Sequence, residues 1–242
     1  MTTDMFGRFL EISLATHDIA ASVLFYERLG FTQLNCGDTW SHPYGVLSDG
    51  RVCIGLHQRP LTAPTLTFVR PELARHLRSL QAAGFEPHYT RLGESDFHEL
   101  QLRDPAGQEI ALLEARTFSP GPADLPESRC GYFSAYSLPA QDFDAGQSFW
   151  EHGGFVALDI VDTPFVHLPL TSDWLNLSLH RPRTIEAPML VFTDAGMAAR
   201  LAALQSLDLR YSNELPRSLD RRSNALLIAP EGTLLALLTA DS

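Results

Sequence analysis

The sequence DIAASVLFYERLGF, Asp18 to Phe31, returns later in the chain as DFDAGQSFWEHGGF, residues 142–155. The two copies start at positions 18 and 142, an offset of 124 residues. A second block, APTLTF at residues 63–68, returns as APMLVF at residues 187–192, also displaced by 124. The sequence is therefore a tandem repeat, and each candidate functional position can be compared with its counterpart.

A third block confirms that the repeat extends to the end of each copy. RDPAGQEIALLEA at residues 103–115 matches IAPEGTLLALLTA at residues 228–240, displaced by 125. Three matches in one order predict two modules of about 115–120 residues, an ordinary domain size.

The best boundary between the modules is the segment TFSPGPADLPESR, residues 117–129, which combines three prolines with a glycine and polar residues. Such a composition is typical of a linker. The predicted organisation is module one at residues 1–117, a linker at 118–129 and module two at 130–242.

Each module contains two similar runs of secondary structure. Residues 9–15 alternate as a strand does, Asp18 suits a helix N-cap, and Gly30 follows the helix at a position that favours a left-handed residue. The pattern of one strand, one helix and three short strands restarts at Thr65, with Pro71 expected at the first helical position. The chain is therefore predicted to be α+β, with four βαβββ units and mostly antiparallel sheets.

Composition excludes several classes of partner. The net charge of −11 argues against nucleic acid and anionic membranes, whose binding depends on Lys and Arg. No signal peptide and no membrane span are recognised. The three cysteines, Cys36, Cys53 and Cys130, are odd in number and widely spaced, which favours free thiols in the cytoplasm.

Two blocks carry a resemblance to a known family. LEISLATHDIAASVLFYERLGF at residues 10–31 and LQLRDPAGQEIALLE at residues 100–114 resemble the most recurrent pieces of the vicinal oxygen chelate superfamily. That superfamily includes glyoxalase I, the bleomycin- and fosfomycin-resistance proteins and the type I extradiol dioxygenases. The resemblance implies that two βαβββ units pair and that their curled mixed sheets surround a small-molecule cavity.

The resemblance also implies where a divalent metal would bind. Its ligands in the family come from the first strand of each unit and the last strand of a module. In this sequence those positions are Glu11, Thr65 and Ala111 in module one and Ala135, Met189 and Ala236 in module two. Only Glu11 is a strong ligand, so no cofactor is expected, and a divalent metal remains the alternative.

Glu11 is the candidate catalytic residue. On a strand that lines a cavity it would be a partly buried carboxylate, able to act as a general base or to bind a cationic ligand; a salt bridge is the structural alternative. The candidate ligand-binding residues are Ser13, Trp40, Tyr44, Thr65, Thr67, Phe97 and His98. The aromatic members would form a wall for a planar ligand, or else belong to the core.

The histidines leave alternatives open. His57 and His180 occupy matching positions in the two modules, which favours a shared structural role over catalysis. His42 and His98 are the remaining candidates for a cluster with Glu11.

The leading hypothesis is a small-molecule-binding protein of the glyoxalase and bleomycin-resistance type, without the family's metal ligands. Its apolar, aromatic cavity is expected in module one, with Glu11 as the polar anchor and module two largely structural. The rival is a lyase, isomerase or dioxygenase that uses Glu11 as base or ligand, its metal completed by His42, His57 or His98. Either protein would be a monomer or a homodimer.

Overall fold

The repeat produces two sheets, one from each half of the chain, in the computed structural model. The structure describes residues 4–35, 41–61, 63–115 and 124–240. Residues 8–114 supply the first sheet and residues 132–239 supply the second.

The first sheet has eight strands and packs with two helices. Its elements are β1 (Arg8–Ala15), α1 (Ile19–Arg28), β2 (Thr32–Leu34), β3 (Tyr44–Ser48), β4 (Cys53–His57), β5 (Thr65–Arg70), α2 (Leu73–Ala82), β6 (Tyr89–Arg91), β7 (Glu99–Arg103) and β8 (Glu109–Glu114). The strand order is β2-β3-β4-β1-β5-β8-β7-β6. The two βαβββ units of the module therefore pair side by side, through β1 and β5.

The second sheet repeats this topology with seven strands. Its elements are β9 (Tyr132–Pro139), α3 (Phe143–Gly153), β10 (Val156–Ala157), β11 (His167–Thr171), β12 (Leu177–His180), β13 (Met189–Asp194), α4 (Met197–Leu204), β14 (Ala225–Ile228) and β15 (Leu234–Thr239). The order is β10-β11-β12-β9-β13-β15-β14. In the last unit an isolated bridge between Tyr211 and Leu227 replaces the strand that corresponds to β6.

Both sheets are mixed, as predicted. In the first, β1 and β4 run parallel, as do β5 and β8, and the remaining strand pairs are antiparallel. The second has the same two parallel pairs, β12 with β9 and β13 with β15. The α+β class with mostly antiparallel pairing is confirmed.

The repeated helices begin and end where the sequence predicts. Asp18 and Asp142 are the N-caps of α1 and α3, and each carboxylate accepts a backbone N–H three residues ahead at 3.0 Å. Gly30 and Gly154 follow these helices with φ of +90° and +109°, a conformation that glycine adopts at little cost.

The prediction for Pro71 is wrong. Helix α2 begins at Leu73, because Glu72 takes a left-handed conformation with φ of +53° and turns the chain before the helix starts. The first helical N–H, from Leu73, is bound instead by the carboxylate of Glu114 at 3.1 Å. Pro71 therefore precedes the helix.

Each sheet uses one face to pack against the helices. Ile12 and Leu14 on β1 are buried with helix residues in a large apolar core that both modules share. Because side chains alternate along a strand, Glu11 and Ser13 point to the opposite face. That opposite face, on either sheet, is called the helix-free face below.

Side-chain hydrogen bonds at two places also join the modules. The carboxylate of Glu231 accepts hydrogen bonds from the hydroxyls of Tyr26 at 2.6 Å and Ser22 at 2.9 Å. On the other side, the indole N–H of Trp150 donates to Asp104 at 3.2 Å. Tyr26 and Trp150 are fully buried, so each contact satisfies a polar group inside the shared core.

Removal of the Glu231 carboxylate is expected to destabilise the protein. In Glu231→Ala the buried hydroxyl of Tyr26 loses its charged acceptor. We therefore expect a loss of about 1–3 kcal/mol in the free energy of unfolding. Urea unfolding measures the change, with the exposed Glu94→Ala as control. An unchanged free energy of unfolding in Glu231→Ala would show that this contact contributes nothing to module packing.

Within the described ranges, no helix is both long and apolar enough to cross a membrane. Cys53 and Cys130 are free thiols, whereas Cys36 lies outside the described residues.

Candidate functional site

Glu11 is the centre of a polar cluster on the helix-free face of module one. It lies near the middle of β1 and is 1% exposed. Its Oε1 accepts hydrogen bonds from the hydroxyl of Ser13 at 2.7 Å and from Nε2 of His57 at 2.8 Å. The hydroxyl of Tyr44 donates to Oε2. Three of the roughly four acceptor positions of the carboxylate are therefore occupied.

His57 extends the cluster towards His42. Nδ1 of His57 lies 2.9 Å from Nε2 of His42. When the neutral ring of His57 donates from Nε2 to Glu11, its Nδ1 is an acceptor, so His42 is the donor of this bond. Burial, with a smaller effect of His57, lowers the pKa of His42. A hydrogen-bond chain thus connects His42 through His57 to Glu11.

Ser13 extends the cluster in the other direction. Its hydroxyl lies 2.7 Å from that of Thr67 on β5. Since Ser13 donates to Glu11, Thr67 is the donor to Ser13. The cluster therefore crosses four adjacent strands, from β3 through β4 and β1 to β5.

Gly55 makes room for the Glu11 carboxylate. This residue lies on β4 between the strands of Tyr44 and Glu11, and a Cβ atom at this position would overlap all three carboxylate atoms of Glu11. Only glycine allows the backbone to approach so closely.

Module two has different residues at both of these positions. The counterpart of Glu11 is Ala135, and the counterpart of Gly55 is Ser178, at the same register of the parallel strand pair. A large side chain beside glycine in module one thus becomes a small side chain beside serine in module two.

The serine of module two belongs to a cluster without a carboxylate. Ser178 donates to Ser137 at 2.8 Å, and Ser137 lies 2.8 Å from Nδ1 of His180. The other ring nitrogen, Nε2, lies 3.2 Å from the carbonyl of Ile185, so both nitrogens of a neutral ring are bonded. Burial lowers the pKa of His180 to about 4. The matched histidines therefore have different partners, and His57 is the direct partner of Glu11.

The other candidates that the structure describes, Thr65, Phe97 and His98, have different surroundings. The hydroxyl of Thr65 donates to a nearby backbone carbonyl at 3.2 Å. Phe97 is 52% exposed, and Nδ1 of His98 bonds to Glu114 at 2.6 Å, an interaction that raises the pKa of His98. Trp40 lies outside the described residues. The structure thus joins Ser13, Tyr44 and Thr67 to Glu11.

The helix-free face of module two carries a cavity of about 420 Å³. Ala135 and Val191 contribute its floor from β9 and β13, and Phe165 and His167 line it beside β11. Leu158, also part of the lining, is 53% exposed. Sequence reasoning expected the cavity in module one and did not identify this one.

His167 is a polar group in this largely apolar lining. Its Nδ1 lies 2.8 Å from the carbonyl of Phe165, so this nitrogen carries the proton. His167 on β11 pairs with His180 on β12, just as Tyr44 on β3 pairs with His57 on β4 in module one. His167 is thus the counterpart of Tyr44, which donates to Glu11.

The family's metal positions do not fit a divalent metal here. In module two Ala135 and Ala236 offer no donor atom, and Met189 offers only a thioether, a poor ligand for a divalent metal of the oxygen-and-nitrogen type. In module one both oxygens of Glu11 already accept hydrogen bonds. Among the residues that the structure describes, no group of three or more His, Cys, Asp or Glu is placed to hold a metal ion.

Similarity to known proteins lies in structure and not in sequence. No protein-family model matches the chain, and no curated protein matches it in sequence. Solved structures do match it. A catechol 2,3-dioxygenase has a TM-score of 0.61 and 11% identity over 98% of this chain and 88% of its own.

Two further dioxygenases give the same result. The 2,2',3-trihydroxybiphenyl 1,2-dioxygenase of the dibenzofuran-degrading Sphingomonas wittichii strain RW1 has a TM-score of 0.61 and 16% identity, over 97% of this chain and 91% of its own. The 2,3-dioxygenase LapB of Pseudomonas sp. KL28 has a TM-score of 0.61 and 13% identity, over 98% and 94%. Identity this low shows a shared fold, and a fold alone does not define an activity.

Proposed function

Because the chain has the two-module fold of the vicinal oxygen chelate superfamily, we propose that it is a small-molecule-binding protein of the glyoxalase and bleomycin-resistance type. Its binding site is the cavity of module two, and binding requires no metal. The observation that carries the proposal is the cavity itself, about 420 Å³ in volume. Small-molecule sites typically measure about 300–1,000 Å³ and are mostly apolar.

The position of this site differs from the sequence-based hypothesis. Glu11 and Ser13 of module one are 1% and 5% exposed, and their polar atoms are bonded to one another and to neighbours. In module two the small Ala135 replaces Glu11 and lines the cavity. We therefore assign the ligand to module two and a structural role to the Glu11 cluster.

A cavity-filling variant tests this assignment. In Ala135→Phe the new ring would occupy the cavity, while Ala74→Phe, on the exposed surface of α2, is the matched control. A ligand present at 100 times its Kd stabilises the folded state by about 2.7 kcal/mol. In a thermal-shift screen of uncharged small molecules, we expect stabilising compounds to lose their effect in Ala135→Phe and to retain it in Ala74→Phe. Compounds that stabilise both variants equally, or no stabilising compound at all, would contradict the proposal.

The histidine chain favours a second candidate function. A carboxylate bonded to His57, which is bonded to His42, is an arrangement that could move a proton, as a lyase or isomerase requires. In that case Glu11 would be the base, with or without a metal. Metal analysis of protein purified without chelator tests the metal-dependent form. Stoichiometric metal that is lost in Glu11→Ala would favour this candidate over the metal-free binding protein.

A further inference from the structure

We infer that the ligand of the module-two cavity is an uncharged, mainly apolar molecule that donates one hydrogen bond to Nε2 of His167. This inference rests on the proposed function and specifies the chemical class of its ligand. It follows from the charge of the lining, the tautomer of His167 and the contrast between the two modules.

The lining disfavours a charged ligand. Of the described residues that line the cavity, none is Asp, Glu, Lys or Arg. Transfer of an ion from water into such surroundings carries a desolvation penalty of several kcal/mol, which only an opposite charge or several hydrogen bonds offset. The apolar lining residues, among them Leu158, Phe165 and Val191, favour an apolar body.

The tautomer of His167 specifies the polar group. Its Nδ1–H donates to the carbonyl of Phe165, and a neutral imidazole with a proton on Nδ1 has an acceptor lone pair on Nε2. Among the described residues, no hydrogen bond to Nε2 of His167 is found. A ligand hydroxyl or N–H would satisfy this acceptor, whereas an ether or carbonyl oxygen would not.

Four of the other polar lining side chains donate their hydrogen bonds to groups of the protein. Ser134 donates to the carbonyl of Val191 at 3.2 Å, Thr171 donates to Asn176 at 2.8 Å, and Thr239 donates to a backbone carbonyl. Ser178 donates to Ser137 within the His180 cluster. A hydroxyl group can both donate and accept, whereas Nε2 of a neutral His167 with its proton on Nδ1 can only accept, so His167 is the lining side chain that selects a donor on the ligand.

The repeat supports the same interpretation. The counterpart of His167 in module one is Tyr44, whose hydroxyl donates to Glu11. In module two the donor becomes a histidine with an acceptor nitrogen, and the carboxylate becomes Ala135, which leaves space. The donor on the protein and acceptor on the carboxylate in module one would thus be replaced in module two by an acceptor on the protein and a donor on the ligand.

Three matched probes test the inference by calorimetric titration of the full chain. The probes are 4-propylphenol, its methyl ether 4-propylanisole, and the anion 4-propylbenzoate. One net hydrogen bond corresponds to about a 3- to 10-fold difference in affinity, so we expect the phenol to bind more tightly than the ether by that factor. The benzoate should bind at least about 100-fold more weakly than the phenol.

Variants separate this inference from the proposed function. In His167→Phe, the phenol should lose its advantage of about 3- to 10-fold over the ether, because the acceptor of its hydrogen bond is gone. The affinity of the ether should not change. Equal binding of phenol and ether by the unaltered protein, with both lost in Ala135→Phe, would overturn the inference and leave the proposed function standing. Benzoate binding as tight as that of the phenol would also overturn it, and would point to Arg183 of the adjoining cavity. Failure of both neutral probes, or binding unaffected by Ala135→Phe, would overturn the two together.

Discussion

Gly55→Ser is expected to destabilise the protein strongly, and Glu11→Ala is expected to reverse much of the loss. The new side chain would overlap the Glu11 carboxylate and force it away from donors in a fully buried site. Overpacking costs about 1–3 kcal/mol, and a buried charged group that loses its hydrogen-bond partners costs at least about as much again. We therefore expect Gly55→Ser to lose about 3–5 kcal/mol of the free energy of unfolding.

The reversal follows from module two. Glu11→Ala alone leaves His57, Ser13 and Tyr44 without their acceptor, so it should also be destabilising. The double variant combines alanine and serine at the positions where module two has Ala135 and Ser178, and the serine gains the space that the carboxylate vacated. We expect a favourable coupling of about 2 kcal/mol in a double-mutant cycle.

Urea unfolding of the four proteins measures this cycle. Gly45→Ser on the neighbouring strand is the matched control, because a Cβ atom there would meet its nearest neighbours at 3.7 Å or more. If the losses of Gly55→Ser and Glu11→Ala simply add in the double variant, these two side chains do not compensate for each other in packing. If Gly55→Ser is as stable as Gly45→Ser, the close approach of Glu11 is not required.

The second large effect is the acid sensitivity of His180. Burial lowers its pKa in the folded protein to about 4, whereas an unperturbed histidine in the unfolded chain has a pKa of about 6.5. Between these values the unfolded state binds the extra proton, so stability falls as the pH falls. The contribution is complete above about pH 6.5 and is lost by about pH 4, a change of about 3 kcal/mol.

A variant isolates this contribution from those of other titrating groups. His180→Gln retains polar atoms towards Ser137 and Ile185 but does not titrate. It should be less stable than the unaltered protein at pH 7.5. Between pH 7.5 and pH 4, its free energy of unfolding should fall by about 3 kcal/mol less than that of the unaltered protein. His152→Gln, an exposed helix residue, is the control. The same pH dependence in His180→Gln and the unaltered protein would show that His180 is not buried in its neutral form.

Much of the fold was predictable because the repeat is strongest where local physics dictates structure. Asp18 and Asp142 cap their helices, and Gly30 and Gly154 end them, through interactions within one turn of the chain. The start of α2 was mispredicted because Glu114, a residue distant in sequence, supplies the partner of the first helical N–H.

The candidate site was less predictable because its chemistry depends on contacts across strands. Glu11, Ser13 and Thr67 were identified from their positions on strands. The role of His57 was not, because its match with His180 hides the difference between their partners. The available signal was the exchange of Glu11 and Gly55 for Ala135 and Ser178, which becomes interpretable only once β1 and β4 are known to be neighbours. The cavity of module two depends on the path of residues 158–167, which no sequence pattern specified.

A crystal structure of the protein grown with saturating 4-propylphenol tests directly whether the cavity of module two is the binding site. We expect electron density for one molecule in the cavity of module two, beside Ala135, with its hydroxyl within hydrogen-bond distance of Nε2 of His167. Density beside Glu11 in module one instead, or an empty cavity at saturating probe, would contradict this expectation.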